Sequence, residues 1–212
     1  MNDLMHTVYY VVPAFLLGIV LHEWAHAFVA WRMGDPTGRD LGRLTLNPLK
    51  HLDPIGTLMM FVAGIGWANP VPINARNFRN PRAGIALSAG AGPLMNVAIA
   101  AVAIVLIHLL PPEQRDPFLL GHGFSWFMLL ITIAQVNALL AVFNLIPVKP
   151  LDGHHFLEVL LPARVFWRYK QNEAVITVVA MVLLFSGAFN PLFRAVQHGV
   201  EGLCVTSYWG VP

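Results

Sequence analysis

The apolar positions of this chain gather into long blocks, separated by stretches that carry most of the proline, lysine and arginine. The first block, residues 8 to 31 (VYYVVPAFLLGIVLHEWAHAFVAW), is long enough as a helix to cross about 30 Å of hydrocarbon, with Tyr9, Tyr10 and Trp31 as interfacial anchors. A second spanning helix is predicted from Ala83 to Leu110, ahead of Pro111 and Pro112, and a third from Phe124 to Ile146, ahead of Pro147 and Pro150. A fourth is expected between Ala174 and Phe189.

Between the first two blocks lies a connection too apolar for a free loop. Residues 39 to 46 (RDLGRLTL) alternate weakly and predict a short strand; Asp53-Pro54 reads as an N-cap followed by proline at the first helical position, opening a segment to about Ala63. WANPVPI, residues 67 to 73, is held extended by its prolines. The expected fold is therefore all-α and multi-pass. It has about four spanning helices, with a small strand pair and partly inserted segments between the first and second, in a single domain over residues 1–212.

Composition agrees with that pattern. Hydrophobic residues make up 57% of the 212 and charged residues 11%, too few to coat a soluble domain of this size. Mean hydropathy is +0.62. The net charge of +2 is spread between the apolar blocks, so a nucleic-acid partner is not expected. Cys204 is the single cysteine, so any metal must be held by His, Asp or Glu. The first residues lack the basic region of a signal peptide, and the first block is expected to be a retained helix.

Basic residues also set an orientation. The connection from 32 to 82 carries seven (Arg32, Arg39, Arg43, Lys50, Arg76, Arg79, Arg82) and that from 147 to 171 four (Lys149, Arg164, Arg168, Lys170), so both are expected to face the cytosol. Arg115 and Arg194 alone occupy the remaining turn and tail, consistent with both termini outside.

The first block contains His22-Glu23-Trp24-Ala25-His26, whose i, i+4 spacing puts two imidazoles on one helical face, one turn apart. Zinc suits two neutral imidazoles and a carboxylate, with a fourth position for a water whose pKa it lowers; Glu23 beside them can take and return the proton. Buried ionisable residues within a spanning helix are costly and need such a compensating partner. The best third ligand is Asp152, in Asn144-Leu-Ile-Pro147-Val-Lys-Pro150-Leu-Asp152-Gly153. There two prolines stop the third helix and Gly153 permits a tight turn that can aim a carboxylate inward. His154 and His155 are expected beside the site or at an interface, Asp53 as a helix cap and His51 as an interfacial residue.

With His-Glu-x-x-His on an early helix and Asn-x-x-Pro-x-x-Pro-Leu-Asp-Gly at 144–153, the chain resembles the site-2 protease family of intramembrane zinc metalloproteases. GWANPVPINARNFRNPR and AGPLMN resemble its compact bacterial members, without a PDZ or nucleotide-sensing domain. The resemblance implies one Zn2+ per chain held by His22, His26 and Asp152, with Glu23 as general base and acid. Asn144, and Asn96 one turn after Gly92, would help to hold substrate or its oxyanion. It further implies a membrane-protein substrate with a spanning helix, cut in or at the cytosolic edge of the bilayer, and a plasma-membrane location. The substrate helix must open before cleavage, and the 67–73 or 39–46 segment could receive it by strand addition. Two other classes compete. A zinc transporter would not need Glu directly after the first His and would line a path across the membrane with polar groups. An inactive scaffold would gain nothing from the buried ionisable set.

Overall fold

The computed structural model describes residues 3–56, 68–115 and 124–205. The expected inserted segment beyond Gly56, together with Trp67 and His122, lies outside them. Helix α1 (Val12–Met33) follows a turn of helix, Asp3–His6, and a π-helical stretch, Thr7–Val11. Then come α2 (Pro81–Leu109), α3 (Trp126–Asn144), α4 (Gly153–Leu160), α5 (Ala163–Gln171), α6 (Glu173–Phe185) and α7 (Asn190–Val205). Thr7–Met33, Pro81–Leu109 and Trp126–Asn144 are each long and apolar enough to cross a membrane, and α6 with α7, bent by 61°, makes a fourth if the pair is one span.

That bend corrects the expectation of one continuous helix to Phe189. Gly187 adopts φ +80°, and the Gly187 and Ala188 N–H groups bond back to the Leu184 and Leu183 carbonyls, the paired bonds of a glycine-terminated helix. The predicted strand over 39–46 is also absent. Thr37–Asp40 is a turn of helix, and among the described residues the sole trace of pairing in this region is an isolated antiparallel bridge between Leu52 and Ala68. Asp53 does cap as expected, its carboxylate accepting from Gly56 N–H at 2.7 Å. His51, expected at an interface, is fully buried and donates from Nε2 to the Thr45 carbonyl at 2.8 Å.

The chain packs as two units. One comprises Met1–Gly18, Asn96–Asn144 and Gln171–Pro212; the other, Ile19–Met95 and Leu145–Lys170. In the first, Ala103, Ile107, Phe127, Ala134, Val200 and Cys204 form the core, and Tyr10 reaches in to accept the Ser125 N–H at 2.9 Å. Asn137, fully buried on α3, donates to the Ile133 carbonyl at 2.9 Å and presses its Oδ1 towards Gly18, where a Cβ would lie 2.6 Å from it. Small residues let spanning helices approach this closely. Gly18→Val should therefore lower the thermal unfolding midpoint, through overpacking worth about 1–3 kcal/mol. An unchanged midpoint would mean that the contact is not tight.

In the second unit, α1 ends on Gly34, at φ +115°. The Gly34 N–H bonds to the Trp31 carbonyl, and the Asp35 N–H to that of Ala30. The chain then returns along this end, with Arg79 N–H on the Met33 carbonyl at 3.1 Å. Asn80 starts α2, its side chain accepting from Ala83 N–H with Pro81 at the first helical position.

Candidate metal centre

The second unit holds every residue of the proposed ligand set. His22 and His26 project from one face of α1, their Nε2 atoms 3.0 Å apart, and both are buried. Asp152 Oδ2 lies 3.0 Å from His22 Nε2 and 3.2 Å from His26 Nε2. Among the described residues these three form the one group of His, Cys, Asp and Glu able to share a metal ion.

Local chemistry explains the convergence. The chain from Leu145 to Asp152 folds through successive tight turns, with Val148 N–H on the Ile146 carbonyl and Leu151 N–H on the Val148 carbonyl, each at 2.9 Å. Gly153 packs against the Leu145 and Ile146 carbonyls so closely that a Cβ there would collide with both. Asp152 occupies the N-cap position of α4, yet its carboxylate makes no capping bond; it is turned instead towards the two histidines. Against α1 stands Gly92 of α2, where a Cβ would collide with both imidazoles.

Protonation tests whether these donors fit a cation. His26 Nδ1 is 2.6 Å from the Ser88 carbonyl oxygen. A carbonyl oxygen only accepts, so Nδ1 carries a proton, and whenever the ring is neutral Nε2, which faces His22 Nε2 and Asp152 Oδ2, is its ligand atom. Two imidazole nitrogens and a carboxylate oxygen gathered this closely are a donor set that suits a shared cation. Ligands about 2.0–2.2 Å from a tetrahedral zinc stand roughly 3.3–3.6 Å apart, so the separations of 3.0–3.2 Å are a few tenths of an ångström short of that geometry and a small outward shift of the side chains would reach it.

Glu23, adjacent to His22 in sequence, is buried, and its Oε2 accepts the Val71 N–H at 2.9 Å. Val71 lies in the proline-rich stretch, which from Asn69 to Asn74 is in neither helix nor strand. From Asn69 to Pro72 that stretch has no N–H left to offer. The Asn69 N–H bonds to the His51 carbonyl at 2.8 Å, Val71's is taken by Glu23, and Pro70 and Pro72 have none.

His154 is buried and lies against His155, ring centroids 4.1 Å apart and planes tilted by 58°, but neither joins the metal-ligand group. Asn96 is fully buried on α2, and Asn144 ends α3 with its amide donating to the Leu140 carbonyl at 2.9 Å; both belong to the first unit. Sequence reasoning missed Ser88, Val71 and Asp35. Asp35 is fully buried and accepts from Thr37 N–H and Oγ, Asn77 Nδ2 and Asn74 N–H. Burial alone would raise its pKa, but the Thr37 and Asn77 side chains and the Asn74 and Thr37 N–H groups hold it below the usual carboxylate value. The stability it contributes is thus complete above the ordinary carboxylate range and is lost as pH falls through its lowered folded value.

The model of peptidase family M50 matches residues 119–187, a stretch that includes Asp152. A candidate zinc metalloprotease of Bacillus subtilis, YwhC, is 41% identical over 82% of this chain and 79% of its own length. The candidate zinc metalloproteases Rip2 of Mycolicibacterium smegmatis and Mycobacterium tuberculosis are 31% and 30% identical, over 86% and 93% of this chain and 69% and 75% of their own lengths. No solved structure gives a significant match.

Proposed function

The chain belongs to peptidase family M50, the site-2 proteases, and is an intramembrane zinc metalloprotease; from that premise we propose that His22, His26 and Asp152 hold the zinc and that Glu23 moves the proton. The observation carrying this reading is the meeting of two imidazole nitrogens and a carboxylate oxygen within 3.2 Å of one another, with the proton on His26 Nδ1 held by the Ser88 carbonyl. When bound, zinc supplies Lewis-acid chemistry, lowering the pKa of a water and polarising the scissile carbonyl.

The chain's own residues supply the rest. Glu23, with Oε2 held by the Val71 N–H, accepts a proton on its other oxygen and returns it to the leaving amine. Asn96 and Asn144 help to hold the substrate or its oxyanion in this reading, Asn144 having a second amide N–H besides the one given to the Leu140 carbonyl. The 212 residues act as one protease domain in the plasma membrane. The basic connections 32–82 and 147–171 face the cytosol, and the site lies towards that side.

The substrate is membrane-embedded, and its helix must open, because a helical peptide bond is both hydrogen-bonded and shielded. Its unwound backbone would lie along the 68–73 segment. That segment keeps carbonyls but no N–H from Asn69 to Pro72, so the substrate must be the donor. Replacing Pro70 and Pro72 together by alanine adds two N–H groups and frees φ. It should change the rate or position of cleavage, by on the order of tenfold, without loss of zinc. Detergent-purified protein, assayed for metal and for cleavage products, tests this; an unchanged product pattern and rate would sink the strand-addition reading alone.

A further inference from the structure

We propose that Asp35 is a positioning residue for peptide hydrolysis: it clamps the Asn74–Asn77 turn so that the Val71 N–H holds the Glu23 carboxylate. The inference rests on Glu23 being the base.

Asp35 lies twelve residues beyond Glu23, about 18 Å of helical rise, so it acts on the reacting atoms only through other groups. Those groups form a continuous path. The α1 terminus at Gly34 turns the chain so that Asp35 is buried, where its Oδ2 accepts Asn74 N–H at 2.7 Å and its Oδ1 accepts Asn77 Nδ2 at 2.8 Å. Asn74 is three residues from Val71. The same carboxylate accepts from Thr37 N–H and Oγ, fixing the helical turn Thr37–Asp40. Gly38 of that turn seats the Val71 side chain, since a Cβ on Gly38 would stand 2.9 Å from Val71 Cγ1. One carboxylate therefore sets both the backbone downstream of Val71 and the surface under its side chain.

With proline on each side of Val71 a regular hydrogen-bonded ladder is impossible; upstream the segment is held at Asn69, whose N–H bonds to the His51 carbonyl and whose carbonyl accepts from Arg43, and downstream Asp35 holds it at Asn74 and Asn77. A carboxylate suits the task because all four groups facing it are donors. Oδ1 takes three of them and Oδ2 takes the Asn74 N–H, so an asparagine of the same shape would turn its NH2 towards the Asn74 N–H or towards the other three.

The test compares wild type with Asp35→Asn, Asn77→Ala and Glu23→Gln, measuring zinc content, kcat and KM per bound zinc, and amide hydrogen exchange of the peptide spanning 68–77. Asp35→Asn should keep KM within twofold, lower kcat per bound zinc by tenfold or more and speed exchange in that peptide. Asn77→Ala, at an exposed residue, removes one donor and should shift kcat and exchange in the same direction by a smaller factor. It also serves as the deciding variant if Asp35→Asn does not fold. If kcat per bound zinc is unchanged, with the damage confined to stability or zinc content, Asp35 is merely structural and the proposal fails. If Glu23→Gln remains active, the reading of Glu23 as base fails instead, whatever Asp35 does.

Discussion

Gly92→Ala is expected to yield a protein that folds, binds no zinc and cleaves nothing, whereas Gly90→Ala, two residues away on α2, should retain both properties. A Cβ at position 92 would collide with the His22 and His26 imidazoles, while one at position 90 would meet Phe156 at an ordinary 3.5 Å. His26 cannot swing aside without giving up its Nδ1 bond to the Ser88 carbonyl on α2 itself. Relief must then come from separating α1 and α2 locally, by roughly 1 Å to restore normal contact distances, and that opens the ligand triangle. Displacements of this size in a reacting geometry cost on the order of 10²-fold even where the groups stay in place. Zinc content, unfolding midpoint and cleavage measured on the two alanine variants decide the matter. Zinc retained by Gly92→Ala would show that the ligand face is looser than its geometry implies.

Removing the base should separate binding from chemistry. Glu23→Gln keeps the shape of the side chain and an oxygen that can accept the Val71 N–H, and leaves His22, His26 and Asp152 untouched. It should carry about one zinc per chain and lose about 10²- to 10⁴-fold in kcat, the usual worth of a positioned acid–base group. Asp152→Ala removes one vertex of the triangle and should lose zinc and cleavage together. If Glu23→Gln cuts at the wild-type rate, the proton moves through another group; if Asp152→Ala binds zinc normally, the third ligand is elsewhere.

The parts of this architecture that follow from local rules were legible in advance. Spanning helices declare themselves by apolar length, the His22–His26 pair by its spacing, and Asp152 by the prolines and glycine that force an irregular turn around it. Period-two alternation over 39–46 misled because it presumes that leucine seeks a protein core; Leu41 and Leu46 are instead well exposed. Apolar length likewise hid the break at Gly187, where the backbone conformation of a single residue ends α6. The supporting cast of the site was not legible at all. Ser88 acts through its backbone carbonyl, which carries no side-chain signature, and Val71 through its N–H. Asp35 stands in a Gly-Asp-Pro-Thr run that reads as an ordinary turn, and its donors Asn74 and Asn77 arrive from about forty residues downstream.

An extended stretch in a membrane protein is also a hazard, since molecules confined to two dimensions meet often and open strand edges attract one another. Pairing of two such edges requires each to supply donors as well as acceptors. From Asn69 to Pro72 this chain presents acceptors only, its two N–H groups being committed to His51 and Glu23. Two copies brought edge to edge along these residues would set carbonyl against carbonyl and repel, so the stretch is closed to its own kind while open to an unwound chain that still has N–H groups to give.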